Sequence, residues 1–104
     1  VMPTRNGRNG MIFTWNGVMN LRNKKWEDDF TELDPCGTSY VDHAYTRAYA
    51  RHLIHAQEML GLEILSIHNL AFYLDLVTQA REHILRGDFA EWKKSVLPQL
   101  TTRL

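Results

Sequence analysis

The sequence predicts an α+β chain, mainly helical, in which an N-terminal β-hairpin is followed by three helices. Three observations carry this. The dipeptide Asn16-Gly17 separates two apolar-rich runs, the strongest short-range signal for a hairpin, because both residues tolerate the positive φ of a type I′ turn. Apolar residues then recur at three- and four-residue steps through residues 41–60 and again through residues 70–85. Finally, Asp88-Phe89-Ala90-Glu91 has the form of a capping box.

Taken in order, the chain opens on Pro3-Thr4-Arg5-Asn6-Gly7-Arg8-Asn9-Gly10. Two arginines, two asparagines and two side-chain-free glycines can converge several donors on one anion. The hairpin follows over residues 10–22. Residues 23–37 read as a connector with one helical turn near 26–30, and Leu33-Asp34-Pro35-Cys36-Gly37 is turn chemistry. A single helix is expected from about Asp42 to Leu60, with Val41, Ala44, Tyr45, Ala48, Tyr49, His52, Leu53, Ala56, Met59 and Leu60 forming one stripe and Gly61 stopping it. Residues 62–67 fit either a short strand or the start of the next helix. From about His68 a long helix should reach Arg86, burying Leu70, Leu74, Val77, Ala80, Ile84 and Leu85, and Gly87 should end it. The capping box then opens a short helix through Trp92 toward Pro98. Trp15, Trp26 and Trp92 read as packing anchors, and Trp15 could stack a base only from an exposed hairpin tip.

Composition narrows the function classes. At 104 residues the chain is one modest domain or a piece of a larger protein, and beginning at Val1 suggests a piece. Net charge is zero, so attraction for phosphate must be local. It is indeed uneven: the stretch up to Trp26 holds five arginines and lysines and no acid, and Glu27-Asp28-Asp29 follows. A basic edge on a neutral body suits docking to RNA, although a solvated loop that binds nothing has the same composition. The one cysteine, Cys36, excludes an intrachain disulfide and points to a cytoplasmic setting. No apolar run is expected to approach membrane-spanning length, and no signal peptide is visible.

The order of motifs resembles the C-terminal segment of the tRNA-guanine transglycosylases (queuine tRNA-ribosyltransferases). The resemblance rests on residues 1–10, on Asn20-Leu21-Arg22-Asn23-Lys24-Lys25-Trp26, and on Leu33-Asp34-Pro35. It continues through Tyr45-Thr46-Arg47-Ala48-Tyr49-Ala50-Arg51-His52-Leu53, Glu58-Met59-Leu60-Gly61-Leu62 and Ile67-His68-Asn69-Leu70, in the expected order over nearly the whole chain. It implies the last part of a (β/α)8 barrel with its dimerisation subdomain, in three stretches: residues 1–23, 24–61 and 62–104. It also implies an activity: guanine at the tRNA wobble position is exchanged for a queuine-type 7-deazaguanine base. An aspartate nucleophile attacks the ribose C1′ and a second aspartate handles protons. The nucleophile precedes the Val1-Met2-Pro3-Thr4-Arg5 motif, so none of Asp28, Asp29, Asp34, Asp42, Asp75 or Asp88 matches a catalytic position. Those aspartates read as caps, turns and solvated faces, and this chain alone should be inactive.

The resemblance also implies sites. Arg5 and Arg8, shaped by Thr4, Asn6 and Asn9, would contact the tRNA anticodon loop, though two arginines on loop carbonyls fit the same residues. Tyr45, Tyr49 and His52 would lie at a homodimer contact, where the residue pattern alone favours a core stripe. Relatives close a structural zinc site with three cysteines and a histidine. Gly37, Ser39 and Asp42 replace those cysteines and only His68 remains, so neither metal nor cofactor is expected. In that reading Gly37-Thr38-Ser39 turns, Tyr40 and Val41 fill space, Ser39 or Asp42 caps the helix, and His68 is buried and hydrogen-bonded. A substitute metal set of Cys36, Asp42, His43 and His68 is the counter-reading. The functional alternatives are a non-catalytic helical RNA-binding or interaction module and, third, a small metal-binding domain.

Overall fold

The computed structural model describes residues 10–104. It is mainly helical, with an N-terminal two-stranded antiparallel hairpin followed by helices. Strands β1 (Met11–Thr14) and β2 (Gly17–Asn20) pair Met11 with Asn20 and Thr14 with Gly17. A 3-10 turn, Lys24–Trp26, leads into the connector. Four helices follow: α1 (Val41–Ala44), α2 (Arg47–His55), α3 (Met59–Arg86) and α4 (Phe89–Leu100).

The strands alternate as period-two pleating requires, turning Ile12 and Thr14, and Gly17 and Met19, inward. The turn itself differs from expectation. Pairing of Thr14 with Gly17 leaves Trp15 and Asn16 as the loop residues, and the only non-glycine with positive φ among the described residues is Gln57. Thr14 Oγ1 closes the turn, accepting from Asn16 N–H at 3.2 Å and donating to the Gly17 carbonyl at 2.8 Å. Gly17 is required for another reason. Its φ is 140°, and a Cβ there would lie 2.2 Å from the Thr102 carbonyl oxygen. The C-terminal tail docks at that point: Val18 N–H donates to Thr102 O at 2.7 Å and Leu104 N–H to Val18 O at 2.9 Å. Gln99 adds a 2.6 Å bond to the Trp15 carbonyl.

The helix expected over 42–60 is broken. Tyr45 and Thr46 are extended, because the connector claims their backbone: Leu33 N–H donates to Tyr45 O, and Glu32 bridges Thr46. Thr46 then caps α2, its Oγ1 accepting from Tyr49 N–H at 3.1 Å. The stripe is split accordingly: Val41, Ala48 and Leu53 are buried, whereas Ala44, Tyr49, His52, Ala56, Met59 and Leu60 are exposed. Gly61 does not stop a helix. It lies inside α3 where α2 crosses, and a Cβ would come within 2.8 Å of Leu53 Cβ. Residues 62–67 are therefore helical.

The core joins Ile12, Met19 and Leu21 of the hairpin to Trp26, Leu33, Val41, Ala50, Leu53, Ile54, Ile64 and Leu65. This core takes only the first third of α3. The stripe expected to be buried farther along is not: Leu70, Leu74, Val77, Ile84 and Leu85 are exposed, Leu85 at 80%. Only α4 packs against that end. By length and composition α3 is long and apolar enough to cross a membrane, contrary to the reading of the sequence, although its first turns are used as core. Gly87, at φ 83°, ends it as expected. Asp88 makes no side-chain cap to α4; its carboxylate instead accepts from His83 Nδ1 at 2.8 Å, and the His83 ring stacks on Trp92. That helix runs past Pro98 to Leu100.

Candidate functional site

At the junction of connector, hairpin and α3, three ionisable side chains are buried together. Asp34, Asp42 and His68 are 3%, 1% and 1% exposed, and each brings one ligand-type atom within 4.8 Å of the others. Asp42 is projected from α1 and His68 from α3, while Asp34 comes from the Leu-Asp-Pro turn, where its Oδ1 accepts from Cys36 N–H at 3.2 Å. The Asp42 carboxylate is hydrogen-bonded by His68 Nδ1 on one oxygen. On the other it accepts from Ser39 N–H at 3.1 Å and Ser39 Oγ–H at 2.8 Å. So Asp42 does not cap α1; the cap position is Tyr40, which is largely exposed and makes no cap bond.

His68 Nε2 donates to the Phe13 carbonyl of β1 at 2.7 Å. Both ring nitrogens thus face acceptors, an arrangement that favours the imidazolium. Burial opposes that charge, but the Asp42 hydrogen bond and charge, the Phe13 carbonyl and Asp34 together hold the His68 imidazole above its ordinary value. Asp34 is shifted upward, first by burial and then by the Asp42 charge, against the pull of His68, the Cys36 amide and Arg47. Its Oδ2 is buried without a hydrogen-bond partner, 4.0 Å from His68 Nε2.

These residues do not fit a structural zinc ion. No thiolate points inward, since Cys36 is exposed. His68 has no free nitrogen, with Nδ1 against Asp42 and Nε2 against a carbonyl. The space is filled as well: a Cβ on Gly37 would lie 2.0 Å from Asp42 Oδ2. The Asp42 carboxylate therefore occupies the room that any side chain at position 37 would need. The substitute set is not assembled either. His43 is exposed, held by Glu32 at 3.2 Å and by the Gly37 carbonyl at 2.9 Å, and these two partners raise its pKa. Asp34, which completes the cluster, was legible only as a turn residue.

The remaining sequence-derived positions are spread out. Thr4, Arg5, Asn6, Arg8 and Asn9 lie outside the described residues. On α2, the Tyr45 and Tyr49 rings stack with centroids 5.8 Å apart; Tyr45 is half-buried against the core, while Tyr49 and His52 are exposed. Near the hairpin tip, Trp15 is half-buried, its Nε1–H donating to Asp75 at 3.0 Å and its ring edge-on to Phe72. Trp26 lies beneath the Arg47 guanidinium, and Arg47 also binds Asp29 at 3.1 Å. The Asp29 carboxyl is held below its usual range: burial is outweighed by Thr31 and Arg47. Asp34 and Asp42 are thus buried and not solvated. A groove of about 920 Å³ lies between hairpin, α3 and tail, lined by Phe13, Val18, Phe72, Tyr73, Leu76 and Leu104.

Residues 1–102 match the family described as queuine tRNA-ribosyltransferase. Curated relatives under that name include one from Oleidesulfovibrio alaskensis, 46% identical over 102 residues covering 95% of this chain and 27% of that protein. Another, from Nitratidesulfovibrio vulgaris, is 45% identical over 91% of this chain and 25% of its own length. A third, from Francisella tularensis subsp. novicida, is 44% identical over 93% of the chain and 26% of its own length. The chain therefore spans about a quarter of the relatives it matches.

Proposed function

Because the chain belongs to the queuine tRNA-ribosyltransferase family, we propose that it forms the tRNA-binding and dimer-forming C-terminal segment of a cytoplasmic enzyme that exchanges guanine at the tRNA wobble position for a queuine-type 7-deazaguanine. The observation that carries this is the match over residues 1–102, which includes the arginine-rich loop and the hairpin behind it. In this reading Arg5 and Arg8 hold the anticodon loop through planar, bidentate donors, and Thr4, Asn6 and Asn9 shape the backbone around them. The catalytic aspartates belong to the rest of the enzyme. Within the described residues Asp29, Asp34, Asp42, Asp75 and Asp88 are all engaged in local hydrogen bonds.

The exposed apolar length of α3 fits a helix that covers the barrel, which supplies the remaining three quarters of the protein. The exposed Tyr49 and His52, with Tyr45 stacked behind, fit a dimer contact, since aromatic side chains bury large area at low entropy cost. The segment does without zinc, with the Asp42–His68 pair in its place. Arg5→Ala and Arg8→Ala in the full-length protein should each raise KM for tRNA and reduce the salt slope of binding by roughly one. Unchanged tRNA kinetics and slope in both variants would reject the reading.

A further inference from the structure

Strand β1 has two edges. One pairs with β2; the other meets α3, where the side chains of two successive residues satisfy it. Asn69 Nδ2–H donates to the Met11 carbonyl at 2.8 Å, and Phe13 N–H donates to Asn69 Oδ1 at 3.1 Å. His68 Nε2–H reaches the Phe13 carbonyl at 2.7 Å. The Asn69 amide thus does what the peptide group of a third strand would do, offering a donor and an acceptor in the spacing of alternate backbone groups. It is 1% exposed, so water cannot substitute for it. These bonds fix the position of β1 along its own axis. A one-residue slip would turn the fully buried Ile12 outward and displace the strand by about 3.4 Å.

Only Gly10 separates β1 from the arginine-bearing loop of residues 3–9. A shift of that size exceeds the tolerance of a charge-assisted hydrogen bond, whose useful range is a few tenths of an ångström. We propose that Asn69 is a positioning residue for RNA: it touches no substrate, but it pins β1 so that Arg5 and Arg8 meet the tRNA backbone. The inference rests on the reading that those arginines contact tRNA.

The test is steady-state base exchange by the full-length protein, with labelled guanine and tRNA varied separately. Asn69→Ala, and the milder Asn69→Asp, which keeps Oδ1 for the Phe13 amide but sets an oxygen against the Met11 carbonyl, should raise KM for tRNA roughly tenfold. KM for guanine and kcat should stay within about twofold. Leu65→Ala, a core truncation one turn earlier on α3, should lower stability without moving KM for tRNA. Arg5→Ala added to Asn69→Ala should raise KM by much less than the product of the single effects. Normal tRNA kinetics in both Asn69 variants, with Arg5→Ala impaired, would overturn the inference and leave the loop reading intact. Multiplicative effects, or equal losses in kcat and in KM for both substrates, would also overturn it. If Arg5→Ala and Arg8→Ala are themselves silent, the loop reading falls and takes the inference with it.

Discussion

Replacing Gly37 by alanine sets a methyl carbon 2.0 Å from Asp42 Oδ2 and 2.2 Å from its Cγ. Neither atom is the end of a flexible chain, so the carboxylate must leave its place. His68 then faces a buried position with its partner gone, at 1% exposure. Removing one partner of a buried ion pair costs about 3–5 kcal/mol, because the other charge is left without compensation. Gly37→Ala, nominally a mild substitution, should therefore destabilise this junction about as much as Asp42→Ala. The double variant should be little worse than either, since both act on one carboxylate. Native-state hydrogen exchange on the full-length protein reads this locally, through the amides of residues 11–14 and 64–69. Their protection should fall by roughly a hundred- to several-thousand-fold in all three variants. Full protection in Gly37→Ala, or additive losses in the double variant, would show that Asp42 does not fill position 37 and refute the reasoning.

The His68 pKa is raised above 6.5, so its proton is held more tightly in the folded than in the unfolded state. The stability it contributes is complete below pH 6.5 and lost as pH rises through the folded value; Asp34, also raised, has the same sign from 3.8 upward. Protection of β1 amides should thus decline between about pH 6.5 and 9, and His68→Gln should flatten that decline. Gly17→Ala, against the Thr102 carbonyl, should release the tail and expose the Val18 amide to exchange while leaving the Asn69 bonds intact. Tyr49→Ala should weaken the homodimer, seen as a monomer fraction at low protein concentration in analytical ultracentrifugation; an unchanged dimer would remove α2 from the contact. Restoring thiolates by Gly37→Cys, Ser39→Cys and Asp42→Cys together should free His68 Nδ1 and give stoichiometric zinc by elemental analysis.

The hairpin, the long helix and its glycine stop were legible because they depend on local signals: an Asn-Gly pair between apolar runs, helical periodicity, and Gly87. What the sequence hid is non-local. Gly17 and Gly61 look like a turn and a stop, yet each is needed where another segment comes close, Thr102 in one case and Leu53 in the other. The break at Tyr45-Thr46 follows from hydrogen bonds to Leu33 and Glu32, which no helix-period pattern contains. Along α3, periodicity marked an apolar stripe but not what lies against it, so Leu74 and Leu85 are exposed here. At the site, the cysteine replacements pointed to His68 and Asp42 but not to Asp34, whose burial depends on Arg47 and the connector, nor to Asn69, whose role depends on the register of β1.

The central claim is that a buried aspartate–histidine pair, not a metal ion, holds the strand leading from the RNA-contacting loop. Labelled-guanine incorporation into tRNA by the full-length protein, before and after exhaustive chelation with zinc quantified in the same samples, tests it most directly. Incorporation should persist undiminished in protein that holds well under one zinc per chain. One zinc per chain whose removal abolishes incorporation would contradict the account, as would a protein that incorporates no guanine at all.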